Sequence, residues 1–166
     1  MLKTTLLSCL LLISCWPLWG TALQSDQNQV ARVMTDYLQN DNHHHLATLK
    51  GHVEIDQGTT HLQADQISIF RNNKNVTTKI VAVGEPARYS TLPDGKQTPL
   101  IAMADKITFY PPKHEILLEG HSSLNQEGNS IHGPFIRYNT LQQVLVSNNQ
   151  GTKAQTVIVI KPQHTK

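Results

Sequence analysis

The sequence predicts an all-β, antiparallel protein, and three observations predict it. Apolar residues recur at every second position in short runs, as in "HVEIDQ" and "DKITFY". Clusters of Asn, Gly, Pro and Asp separate the runs at close spacing: "RNNKN", "LPDGK", "YPPKH", "QEGNS" and "SNNQG". The phrase "LKGHVEIDQG" at 49–58 is echoed by "LEGHSSLNQEG" at 118–128, so the chain repeats a small unit and not a long helical pattern.

The first element is a leader. Residues 1–22 have one early cation, Lys3, an apolar run from Leu6 to Leu18, and a small-residue exit at Gly20, Thr21 and Ala22, which predicts a secretory signal cleaved after Ala22. The run falls short of the roughly 20 apolar residues of a membrane span. "LISC" at 12–15 also resembles a lipoprotein cleavage box that would leave Cys15 as a lipidated N-terminus, and an uncleaved segment would be an anchor. Residues 23–161 then form one domain and 162–166 a short tail. Cys9 and Cys15 both fall in the leader, so the mature domain has no disulfide, thiol nucleophile or thiolate ligand. Without Lys3 the 14 basic residues become 13, against 12 acidic, and no Lys/Arg run marks a nucleic-acid partner.

The strands follow in order. "VARVMTDYL" at 30–38 is the one segment with any helical spacing, and it is weak. Val53 and Ile55 alternate against His52, Glu54 and Asp56; Ile67 with Ile69, Ile107 with Phe109, Ile116 with Leu118, Ile136 with Tyr138 and Val144 with Val146 do the same in later runs. One face of the sheet is therefore dry and the other wet. "ADQI" at 64–67 recurs as "ADKI" at 104–107, with weaker versions at 35–38 and 133–136. Gly51 and Gly120 each follow an aspartate, Asp36 and Asp105, by the same interval and interrupt strands, which marks a bend or bulge. Such units stack, each relying on neighbours to bury its dry face. The dry face is either a closed core or a groove, and the pattern alone fits both.

Candidate chemistry is sparse. His43–His45 invites a metal, but neighbours on a strand point to opposite faces and two imidazoles fall short of the three protein ligands of a catalytic zinc site; a solvated turn is the expectation. His52 and His121 fall on the wet face. Asp36, Asp65 and Asp105 occupy one position in the repeat, which predicts a shared structural job, such as an Asx bond to backbone, and not paired catalytic acids. The sequence contains no P-loop, nucleophile elbow, HExxH or dinucleotide fingerprint. Neither an enzyme nor a cofactor is expected.

The segments "LKGHVEIDQGTTHLQADQISIFR", "VGEPARYS", "PLIAMADKITFYPPKHEILLEGHSSLNQEGNSIHGPFIRYN" and "VLVSNN" resemble the LptA/OstA-like family of periplasmic lipopolysaccharide export proteins, from about Val30 to Ile160. The resemblance implies an open-ended, V-shaped β-jelly-roll with an apolar interior. Copies would stack head to tail into a bridge that carries lipopolysaccharide from the inner to the outer membrane. It implies inner- and outer-membrane partners of the same fold, and end strands near 30–38 and 154–162. The lining for lipid acyl chains is then expected at Val53, Ile55, Ile67, Ile69, Ile107, Phe109, Ile116, Leu118, Ile136 and Tyr138. A membrane-anchored partner of the same export system is the related alternative, and a His-dependent metallohydrolase the remote one.

Overall fold

A computed structural model describes residues 29–162 apart from Asp94, Gln150 and Thr152; the expected leader and, beyond Pro162, the tail lie outside the described residues. Ten strands form one antiparallel sheet: β1 (Arg32–Met34), β2 (Tyr37–Asp41), β3 (Leu46–Gln57), β4 (Thr60–Arg71), β5 (Thr77–Thr91), β6 (Leu100–Tyr110), β7 (Glu115–Gln126), β8 (Asn129–Asn139), β9 (Val144–Asn148) and β10 (Val157–Val159). The six long strands β3 to β8 pair in chain order. At one margin β1 and β2 both pair β3, and at the other β9 and β10 both pair β8. Among the described residues the only helical piece is a single 3-10 turn, Pro111–Lys113, where two prolines cannot continue the ladder. The segment 30–38 carries no helix: β1 and β2 occupy it, broken at Thr35–Asp36.

The sheet is creased across its middle. Each of the five ladders from β3–β4 to β7–β8 shifts register at one level: Lys50/Val53, Gln63/Gln66, Val83/Ala87, Met103/Lys106 and Glu119/Ser122. A bulge bends its strand and adds local twist, and five in a line fold the sheet into two halves. Next to the crease the inward row runs Ala64, Ala87, Ala104, Ser122 and Gly133, side chains small enough for the halves to close on each other. One continuous core results. It joins Leu49, Ile67, Ile107 and Leu118 of one half to Ile55, Leu62, Tyr89 and Leu124 of the other.

The turn predictions hold in detail. Asn42–His45, with the three histidines, is a turn; Asn72 Oδ1 accepts the amides of Lys74 and Val76 to tie the β4–β5 turn; and Glu127–Gly128 connects β7 to β8 through two left-handed residues.

Candidate functional site: the interior of the creased sheet

Strand alternation places all ten expected lining residues on the inward side. Val53, Ile55, Ile67, Ile69, Ile107, Phe109, Ile116, Leu118 and Ile136 are buried, and Tyr138 is partly buried, with burial pushing its hydroxyl pKa up. They pack in rows that cross the strands. One row reads Ala47, Ile69, Ile80, Phe109, Ile116, Tyr138, Leu145, and the next reads Leu38, Leu49, Ile67, Ala82, Ile107, Leu118, Ile136. Beyond the crease a third row runs from margin to margin: Val33, Ile55, Leu62, Tyr89, Ala102, Leu124, Ile131, Ile158.

Exposure along the third row decides what kind of interior this is. Tyr89 and Ala102 at its centre are 0% exposed, whereas Val33 and Ile158 at its ends are 46% and 59% exposed. Leu38, at one end of the second row, is 61% exposed. Among the described residues the third row is sealed in its middle and ends in exposed side chains at both margins. Several residues of these rows escaped sequence reading, notably Ile80, Ala82 and Tyr89. All belong to β5, whose alternation is broken by "GEPA" at 84–87, with a cis Glu85–Pro86 bond.

The repeated motif supplies the crease. Gly51 and Gly120 are left-handed (φ +75° and +71°), and His52 and His121 follow in the same region (φ 43° and 36°). The Asp36 amide donates to the Gly51 carbonyl at 3.1 Å. Among the described residues the Asp36 and Asp105 side chains make none of the expected Asx bonds to backbone. Asp36 and Asp105 instead bind the imidazoles of His52 and His121, each Nδ1–Oδ2 distance being 2.9 Å. The reason is the bulge, which turns the imidazole back over the carboxylate that lies against the glycine. This hydrogen bond, with the negative charges of Asp36 and Asp65, raises the His52 pKa. Among the described residues no group of three or more His, Cys, Asp or Glu side chains converges on a metal position.

With this geometry in place, comparison with known proteins is specific. The family described as LptA/(LptD N-terminal domain) LPS transport protein matches residues 32–144. The chain belongs to that family. It is 27% identical to the lipopolysaccharide export system protein LptH of Pseudomonas aeruginosa over 124 residues, 75% of this chain and 71% of that protein. It is 27% identical over 145 residues to the corresponding protein LptA of Haemophilus influenzae, covering 86% of this chain and 83% of that one. The crystal structure of P. aeruginosa LptH, described as the LptA-homologous periplasmic component of the lipopolysaccharide transport device, superposes with a TM-score of 0.75 at 25% identity. That match covers 83% of this chain and 99% of the other. The match to LptH covers 83% of this chain, so the antiparallel fold is one the family shares.

Proposed function

We propose that this protein is a periplasmic carrier of lipopolysaccharide whose acyl chains travel between the two halves of the creased sheet. The observation that carries the reading is the margin-to-margin apolar row, closed at Tyr89 and Ala102 and open at Val33 and Ile158. An interior uncovered at both margins can be continued by a second copy. Among the described residues β1 and β10 end the strand order, so each margin offers a strand for addition, head to tail. Inner- and outer-membrane components of the same fold would extend the row at either end. Each buried methylene contributes about 0.8 kcal/mol, without direction, so a chain can slide along the row with no fixed set of polar bonds to break. The names of the relatives support the substrate, the work is transport, and no step of it calls for catalysis.

Photo-crosslinking tests the reading. A photoreactive residue at Ile69, Phe109 or Leu118 should capture lipopolysaccharide, while one at the outward positions Glu54 or Ser68 should not. Folded protein that gives no adduct at any inward position would establish the interior as a plain core and overturn the proposal.

A further inference from the structure

The first two inward rows end differently at the two margins. In the half of the sheet that holds the β4–β5 turn, the marginal strands are β2 and β9, five residues each. Among the described residues β2 pairs only β3, and β9 only β8. At the β2 margin the first row continues from Ala47 to Asn40, while at the β9 margin it ends in Leu145. The second row ends in Leu38 at the β2 margin and continues from Ile136 to Ser147 at the other. Each margin thus carries one apolar and one polar residue on the inward side, in opposite order.

Both polar residues are satisfied within the chain. Asn40 Oδ1 accepts from Nη2 of Arg71, and Asn40 Nδ2 donates to Asn42 Oδ1 at 3.1 Å. Ser147 Oγ donates to the Phe135 carbonyl at 3.0 Å and lies 2.8 Å from Thr156 Oγ1. Arg71 reaches Asn40 from inside: it is 8% exposed and lies two residues beyond Ile69 on the same face of β4. Among the described buried residues it is the one that carries a charge. An amide on a solvated edge has water to bond and needs no guanidinium. A polar side chain that is to be covered does need a partner, because a buried group left unbonded costs the full loss of its water.

Resting on the head-to-tail reading above, we propose that β9 of one copy covers β2 of the next in a single register, and that Arg71 is the positioning residue that makes Asn40 fit to be dried there. β2 runs against β3 and β9 against β8, so the joint is antiparallel like every other pair in the sheet. Leu145 then stands opposite Asn40, and Ser147 opposite Leu38, so both rows run on from copy to copy. A slip of one residue would set inward side chains against outward ones. The slip of two that sets Ser147 against Asn40 leaves Leu38 facing Asn149, beyond the end of β9.

Disulfide trapping tests the register, since both cysteines of the sequence lie in the expected leader. A chain carrying Leu38→Cys mixed with one carrying Ser147→Cys should give a disulfide-linked pair under mild oxidation, because directly facing residues lie within disulfide reach. Asn40→Cys with Ser147→Cys, two residues out of register, should not. Light scattering tests Arg71. Arg71→Met should weaken self-association roughly tenfold, the scale of one buried group left without its partner. Arg71→Lys, which keeps the charge but loses the planar fork, should weaken it in the same direction. Adding Asn40→Leu to Arg71→Met should restore association, since the first row is then apolar to its end and needs no donor. Undiminished association of Arg71→Met, or a loss that Asn40→Leu does not rescue, would overturn the positioning role. Self-association without the disulfide between positions 38 and 147 would overturn the β9–β2 joint and leave the carrier reading standing. A chain that stays single at every concentration would overturn the head-to-tail reading itself.

Discussion

A methyl group added at Gly51 or Gly120 would fall on the carboxylate of Asp36 or Asp105, and both backbones are left-handed. Gly51→Ala should therefore destabilise the fold by about 1–3 kcal/mol, combining backbone strain with the clash. Gly95→Ala, equally left-handed (φ +74°) with nothing within 4 Å of the added Cβ, isolates the strain alone and should cost less. Urea midpoints of the two variants measure the difference; equal losses would show that the carboxylate does not fill the space. The glycines were legible in the sequence because they interrupt alternation. Their partners were only half legible, since the interval from aspartate to glycine becomes a contact only once the sheet creases. At the same residues His52 predicts a pH effect. Its imidazole keeps its proton to a higher pH in the fold than in the unfolded chain, because Asp36 binds it. The clamp's contribution is then fully present below the unfolded value, about pH 6.5, and is lost as pH rises through the folded one. An NMR titration of the ring should show the raised midpoint in the native protein and the ordinary one in Asp36→Asn; an unchanged midpoint in that variant would exclude the carboxylate as the cause.

Among the elements, the long strands were the easiest to read and the marginal ones the hardest. β3, β4, β6, β7 and β8 alternate plainly and end at Asn-, Gly- or Pro-rich turns, so period-two spacing finds them. β5 hides because "GEPA" breaks its alternation where the strand crosses the crease. β1 and β10 are three residues each, too short for any periodicity, and need pairing with β3 and β8 to exist. β10 is exposed on both faces, and its Val157, Ile158 and Val159 are exposed large apolar side chains. Natural edge strands blunt such an edge with charge or proline, so a bare one is fit for a partner. Ile158→Lys should leave the far-ultraviolet circular dichroism of the protein unchanged, because the residue is 59% exposed at the margin of the sheet. It should lower the mass seen by light scattering at high concentration toward that of one copy. Persistence of larger species in this variant would place any contact between copies away from β10.

For the molecule as a whole, the sealed centre sets a condition on loading. Nine of the ten expected lining residues are buried against each other, so on the carrier reading an acyl chain would enter only if the two halves parted and its methylenes replaced the packing lost. The sequence could show a dry face, but not whether that face was shut, because closure depends on the small row at the crease and on β5. Stability and affinity are then linked with opposite signs. A substitution that weakens packing between the halves penalises the closed, empty protein more than the loaded one, in which those contacts have already been exchanged for lipid. Ile69→Val and Ile116→Val, each removing one buried methylene, should lower the free energy of unfolding by about 0.5–1.5 kcal/mol. The same variants should bind lipopolysaccharide at least as tightly as the unaltered chain, because part of the cost of opening has been removed. Urea denaturation and equilibrium lipid binding on the same preparations give the two numbers. Affinity that falls in step with stability would mean that cargo is held without parting the halves, which would place it at the margins near Val33 and Ile158 and not between the rows.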